Sequence, residues 1–276
     1  MGTMKSASVY LIFVFILLSA PNSVLANKDP SGTEIVKNCD NKYPGEDQQT
    51  QLTIILKDRA GNERKNVYLR LWKDMKGKDD ILDKMVLFTV YPPDASGAAF
   101  MRWAYAKSRD KNAEQWIYLP VLRKIRRVSV RDVRDSFLGS DLTYGDISYR
   151  GVDEDEHKLI DTVKDKTSGQ ELYVVESISK GKDPQYSKRH QFFTKTPNWD
   201  SCVKVRVDYY DSKNAAFLKR QFLTWQKVDK AWVWDKVFVQ NIQTQHSSQF
   251  EVEKVKINRG LDDSLFTERR MQLGIK

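Results

Sequence analysis

From Leu52 onward the sequence is a succession of short period-two runs separated by turn-length gaps, and this pattern limits the possible folds more than any other feature. Leu52, Ile54 and Leu56 alternate with Thr53, Ile55 and Lys57, and Asp58-Arg59-Ala60-Gly61-Asn62 turns the chain. Val67, Leu69 and Leu71 then alternate with Tyr68, Arg70 and Trp72, which predicts a hairpin. Met85 to Tyr91 reads as a third strand, stopped by Pro92-Pro93. Further strands are expected at 115–119, 122–130, 158–164, 171–177, 191–195, 203–210, 218–228, 232–242 and 251–257. Turn chemistry separates them at Thr167-Ser168-Gly169, Lys182-Asp183-Pro184, Asp211-Ser212-Lys213-Asn214 and Asp229-Lys230. Helical and strand-like segments do not alternate, so a doubly wound fold is not expected. The pattern predicts a mainly β chain, an antiparallel meander curled into a barrel or a strongly bent sheet. Without an internal repeat or a low-complexity linker, one domain is the simplest organisation.

The N-terminus reads differently. Lys5 precedes an apolar run from Val9 to Ala20, Pro21 breaks it, and Val24-Leu25-Ala26 provides small or tolerated residues before Asn27. The run is shorter than the ~20 residues of a membrane span. It predicts a cleavable signal peptide over 1–26 and a single exported domain over 27–276, periplasmic and soluble after cleavage. No cysteine follows the cut at once, so lipid attachment there is not expected. After it, Ser31-Gly32-Thr33-Glu34 is a capping-box pattern ahead of Ile35, Val36 and Cys39 at helical spacing, which predicts a short helix over 32–39.

Export bears on charge and on cysteine. The chain carries a formal +9, and losing Lys5 with the leader lowers it by one. In an exported protein this excess suits anionic headgroups or an acidic partner surface, or serves solubility alone; a nucleic-acid partner is not expected. Cys39 and Cys202 allow one pairing. A domain of this size does not require the bond, and the sequence leans towards two unbonded thiols.

Catalytic signatures are missing. His157, His190 and His246 are scattered and form no metal pattern, and there is no nucleophile elbow, P-loop or dinucleotide fingerprint. The reading is therefore non-enzymatic, without cofactor or metal. Asp141 and Asp146, with Asp132 and Asp135 nearby, read as turn carboxylates; a hydrolase using Asp141 and Asp146 is the third reading, after two binding roles.

Binding has more support. A curved sheet must fill its inner face or leave it to an apolar guest. Aromatic residues on or near the strand segments give candidate groove residues: Trp103, Trp116, Tyr118, Phe137, Tyr144, Trp225 and Trp232. Between Trp116 and Asp146 six cations, Arg123, Lys124, Arg126, Arg127, Arg131 and Arg134, crowd an otherwise apolar stretch and predict a basic rim or docking face. Such a rim beside an apolar groove favours a guest with an apolar tail and an anionic head.

The same stretch resembles a known family. Trp116, Tyr118-Leu119-Pro120, the basic run 123–127, Phe137-x-Gly139-Ser140-Asp141, Tyr144 and Asp146 are similar to the outer membrane lipoprotein-sorting proteins of the LolA-like superfamily. Flanking segments agree, with Leu87-Phe88, Tyr91-Pro92-Pro93-Asp94 and Gly97 upstream, and Asp208-Tyr209-Tyr210-Asp211 and Gly260-Leu261-Asp262-Asp263-x-Leu265-Phe266 downstream. The resemblance runs from about Glu34 to Arg269. It implies an incompletely closed antiparallel β-barrel with short helices lying over an apolar cavity. It also implies a periplasmic carrier that binds a lipidated protein or free lipid for transfer toward the outer membrane. The alternative it leaves open is a non-enzymatic accessory protein that docks an export pump of the resistance-nodulation-division (RND) superfamily without enclosing a ligand.

Overall fold

The computed structural model describes residues 1–2, 29–40, 42–105, 113–128, 133–148 and 150–275. The leader with its cut after Ala26, and Arg131 of the basic stretch, lie outside the described residues. Among the described residues, thirteen strands form one antiparallel sheet. They are β1 Asp47–Lys57, β2 Glu63–Asp74, β3 Ile81–Tyr91, β4 Ala99–Tyr105, β5 Glu114–Leu119, β6 Lys124–Arg127, β7 Asp155–Lys164, β8 Glu171–Ser179, β9 Tyr186–Thr194, β10 Lys204–Asp211, β11 Phe217–Val228, β12 Ala231–Asn241 and β13 Ser247–Ile257. The spatial order is β6-β5-β4-β3-β2-β1-β13-β12-β11-β10-β9-β8-β7. Two meanders thus meet at the β1–β13 seam, where Ile54 lies opposite Phe250 and Leu52 opposite Val252. The free edges are β6 and β7, so the sheet does not close. The β6 edge is four residues long and basic, which discourages edge-to-edge pairing.

The chain between β6 and β7 shows how strongly the sheet curls. Gln115 of β5 donates to the Tyr144 carbonyl at 3.3 Å, while Tyr186 of β9 donates to Asp146, two residues on, at 2.8 Å. Nine strand spacings separate β5 from β9, about 43 Å in a flat sheet. Two residues span at most ~7 Å. The sheet must therefore bend until its two halves almost face one another, giving a mainly β, incompletely closed barrel.

The expected strands are present, that at 122–130 shortened to β6 with 129–130 outside the described residues, and β4 is an addition. Its sequence hides it because both faces are buried, so apolar and polar positions do not alternate. Phe100 points to the inner core, while Ala99 and Met101 point to the outer face. That outer face, with Leu71, Val86, Phe88, Trp116 and Tyr118, is covered by the C-terminal segment. Phe266 and Met271 of that segment are fully buried there, the latter in α2 Glu268–Leu273. Asp47 holds the segment's start by accepting the amides of Arg259, Gly260 and Leu261 at 2.8, 2.7 and 3.1 Å.

Helix α1 spans Gly32–Asp40, and the capping box forms as its sequence predicts. Ile35, Val36 and Cys39 pack on Tyr173, Val175 and Phe193. Strand register places Val175 on the same face as Val207 of the inner core, so α1 covers the inner face of the β7–β9 half. The fit is close, because a Cβ at Gly32 would meet the β7 backbone at 2.7 Å. Cys39 and Cys202 are joined in a disulfide, which corrects the expectation of free thiols. The helix brings the two cysteines together from 163 residues apart, a meeting that spacing in the sequence does not reveal.

Candidate functional site

The inner face of the barrel is the place where a guest would have to lie. Its core draws on Leu52, Ile54 and Leu56 of β1, Met85 and Leu87 of β3, Val237 and Val239 of β12, and Phe250 and Val252 of β13. These are the alternate, inward residues of long strands; on β3 the opposite residues, Val86 and Phe88, face the C-terminal segment. Among the described residues no second sheet covers this core. Residues 133–148, within the crossing from β6 to β7, lie over it as a strap.

The strap's local fold follows from its sequence. Ser136 and Thr143 form an antiparallel bridge, and Phe137 N–H donates to the Leu142 carbonyl at 2.7 Å. The turn between them uses Gly139 at φ +80°, a left-handed position where a Cβ would also come within 2.9 Å of the Arg64 guanidinium. Ser140 closes the turn by donating to the Phe137 carbonyl at 2.7 Å. The loop thereby presents Phe137, Leu142 and Tyr144 to the core, all buried. Phe100, Phe137 and Tyr144 form an aromatic trio with centroids 5.1–5.8 Å apart.

Two carboxylates fasten the strap to the other half-barrel. Asp141 accepts from Ser248 of β13 at 2.5 Å and meets His246 Nδ1 at 2.8 Å. Asp146 takes Lys219 of β11 at 2.6 Å, Tyr186 of β9 at 2.8 Å and the Thr143 amide at 2.8 Å. Lys219 and Asp146 side chains are 3% and 5% exposed, so this ion pair is shut away from water. Burial, then the Asp146 charge, pushes the Tyr186 hydroxyl well up and keeps it a donor. Lys219 also donates to the Asp141 carbonyl at 2.7 Å, which ties the two fastenings together. Each carboxylate of the Phe-x-Gly-Ser-Asp motif and its downstream aspartate is thus occupied in holding the strap. A cleft of about 530 Å³ opens beside it, lined by Arg134, Ser140, Asp141, Tyr186, Lys219 and His246 among others.

Beyond the strap the inner lining continues as a mixed surface. Trp72, Ile147 and Val228 are only partly buried against the core. Arg70, on the same face, donates to Gln48 at 2.6 Å; burial, then the neighbouring Arg102 charge, pulls it down to about 10, still a cation at neutral pH. Arg102 pairs with Asp83 at 2.5 Å and donates to the Ile147 carbonyl at 2.9 Å. Thr50 Oγ1, Arg102 Nε and Gln115 Oε1 are buried here with no hydrogen-bond partner among the described residues. Sequence patterning did not single out Lys219, Arg70 or Arg102. Their signal is a charge at an inward strand position, such as Lys219 in register with Gln221 and Leu223, or Arg70 with Tyr68 and Trp72.

The seven aromatic candidates separate into three groups. Phe137 and Tyr144 belong to the strap on the inner face. Trp103, Trp116 and Tyr118 lie on the outer face under the C-terminal segment, where Trp103 donates to the Phe266 carbonyl at 3.2 Å and stacks edge-on with Trp116 at 5.3 Å. Trp225 meets Trp234 at 6.3 Å and donates to the Lys204 carbonyl at 2.7 Å, and Trp232 sits under Lys227. The basic stretch is divided as well. Arg123, Lys124 and Arg126 are exposed, Arg127 pairs with Glu114, and Arg134 on the strap pairs with Asp183 at 2.6 Å.

Electrostatics outside the strap give a pH prediction. Burial alone would raise Asp155, but Arg150 and then Arg189 outweigh it and hold the carboxyl below its usual range. Asp208 is held low in the same way by Arg220 and Arg206. Burial lowers His157, whose ring meets Ser177 and the Val152 carbonyl. All three have folded values below their unfolded ones, so their stabilisation is complete above the unfolded value and is lost as pH falls through the folded one. Urea midpoints are expected to decline below about pH 6.5 as His157 charges, and more steeply below about pH 4. Asp208→Asn should flatten the second step, and an unchanged acid limb in that variant would refute the assignment.

Among the described residues no group of three His, Cys, Asp or Glu side chains could hold a metal ion, and no helix is long and apolar enough to cross a membrane. A family model described as "Uncharacterized protein" matches residues 82–273. No curated protein matches the chain. Among solved structures, a domain from Vibrio parahaemolyticus described as an outer membrane lipoprotein-sorting protein superposes with a TM-score of 0.76 at 24% identity, covering 87% of this chain and 98% of that one. A DUF1329 family protein from Desulfovibrio piger gives 0.78 at 23% identity, with the same coverage. A LolA superfamily protein from Nitrosomonas europaea gives 0.64 at 15% identity, covering 88% of this chain and all of that one. At these identities the likeness shows the fold alone, which this chain shares with these three structures.

Proposed function

The chain belongs to the family described as "Uncharacterized protein" whose model it matches over residues 82–273, and from the strapped inner face of its barrel we propose that it is a periplasmic carrier for the acyl chain of a lipid or lipidated protein. The strap carries this reading. A core closed by the 133–148 segment, which side-chain contacts such as Lys219–Asp146 and Ser248–Asp141 hold in place, can be opened without breaking the sheet, whereas a core closed by a second sheet cannot. Phe137, Leu142 and Tyr144 occupy the volume that an acyl chain would take, and Trp72, Ile147 and Val228 extend the apolar lining beyond them. The Vibrio parahaemolyticus domain described as an outer membrane lipoprotein-sorting protein shares the fold and supports the role, with delivery toward the outer membrane as its direction. The reading is non-enzymatic and needs no cofactor.

Magnitudes are consistent with a shuttle. Burying about 16 methylenes at about 0.8 kcal/mol each yields on the order of 13 kcal/mol. Micromolar binding needs only about 8 kcal/mol. The difference of about 5 kcal/mol is close to the 3–5 kcal/mol or so that parting a buried ion pair costs. A guest that must lift the strap is therefore held, yet released to a better acceptor. Titration of the purified protein with a dansyl-labelled undecanoic acid should give blue-shifted, saturable emission at one probe per chain, with a Kd in the micromolar range. Absence of saturable uptake would refute the carrier reading and favour the accessory role beside an export pump.

A further inference from the structure

We propose that the β3–β4 and β5–β6 turns form a docking edge that seats this protein on the surface of an anionic phospholipid bilayer. The observation is a concentration of exposed apolar side chains. Val121 is 89% exposed, Leu122 59%, Val90 56%, Tyr91 47% and Leu119 39%. Single exposed apolar residues are ordinary, but these five lie in one turn or on the strand ends that lead into two neighbouring turns. The turns lie side by side: β4 pairs with both β3 and β5, Ala99 lies opposite Tyr118, and a Cβ at Gly97 would touch the Pro120 ring at 3.9 Å.

Charge identifies the partner. Arg123 and Lys124 follow Leu122 directly, Arg126 comes two residues later, and all three are exposed. Asp94 is the one carboxylate in the two turns. Apolar tips that protrude, with cations set just behind them, match a bilayer interface, where the tips enter the acyl boundary and the cations stay at headgroup level. A protein groove would call for the same apolar residues but gives no reason for Arg123 and Lys124 to stand directly behind them.

The position also makes sense for loading. Strands β1, β3 and β5 all end at this rim, where Lys57 pairs with Ser247 at the start of β13. The strap is fastened at the same rim, through Asp141 on His246 and Ser248. Docking would therefore bring the end where the strap lifts to the membrane. The docking edge goes beyond the carrier reading, since surface binding needs no enclosed guest.

The test is co-sedimentation of the purified protein with vesicles of phosphatidylcholine containing about 30% phosphatidylglycerol, an anionic surface of moderate charge. The protein should bind these vesicles about tenfold or more tightly than pure phosphatidylcholine. Val121→Asp/Leu122→Asp should lose about tenfold or more, and Arg123→Glu/Lys124→Glu should lose a similar amount together with most of the salt dependence. All four positions are exposed, so unfolding midpoints should stay at the wild-type value. Dansyl-undecanoic acid uptake should survive in both double variants, which separates failure of the docking edge from failure of the carrier reading. Absence of binding to the anionic vesicles, or wild-type binding by Val121→Asp/Leu122→Asp, would overturn the proposal. So would a wild-type dimer that Val121→Asp/Leu122→Asp dissolves while vesicle binding stays unchanged, which would assign the patch to a second copy of the chain.

Discussion

Asp146→Asn should destabilise the protein by about 3–5 kcal/mol in urea unfolding, because it leaves Lys219 charged and buried without a counter-ion. The same variant should take up an acyl probe faster than wild type, since the strap loses its tie to β11 and the charge that Tyr186 donates to. Both effects come from one side chain that touches no proposed guest. Replacing the lysine too, as Asp146→Asn/Lys219→Met, should recover much of the stability while the strap stays loose. Stability and uptake then separate, which general unfolding would not produce. A loss below about 1 kcal/mol in Asp146→Asn, the range of an exposed pair, would mean that the strap is held by its apolar residues alone.

Removing the disulfide is expected to have an effect of similar size. The bond closes a loop across 163 positions, for which the chain-entropy estimate is about 5 kcal/mol. Cys39→Ser/Cys202→Ser, or wild type in strong reductant, should therefore unfold at markedly lower urea. The first segment to loosen should be α1, exposing Tyr173, Val175 and Phe193, so amides of residues 32–40 should lose hydrogen-exchange protection before those of β1 and β13. Unchanged protection of α1 would show that packing, not the bond, holds the helix. The same dependence would tie correct folding to an oxidising compartment, in line with the proposed periplasmic role.

How much of this was legible in the sequence depended on whether a residue's role was local. The β1–β2 hairpin follows from alternation and a five-residue turn, and α1 from its capping box, because each is decided within a dozen residues. Strand β4 was hidden because the C-terminal segment buries its second face, and nothing near 99–105 announces a partner at 261–271. That burial also explains where Trp103, Trp116 and Tyr118 lie. Strand aromatics signal burial without saying on which face, and a shift of one residue exchanges the two. Phe137 and Tyr144 were marked by the motif around them, but their role as the barrel's own plug needed the crossing from β6 to β7. Asp141 and Asp146 read as turn carboxylates from Gly and Ser beside them. Their partners, Ser248, His246, Lys219 and Tyr186, lie between 40 and 107 residues away.

In the proposed function the strapped inner face receives an acyl chain. The most direct measurement is native mass spectrometry of the purified protein, followed by organic extraction and lipid analysis of any added mass. The expected result is one lipid or acylated species per chain, or its appearance at one-to-one stoichiometry after incubation with membrane lipids. A clean mass of the unliganded chain, unchanged by that incubation, would contradict the account and leave Phe137, Leu142 and Tyr144 as ordinary core.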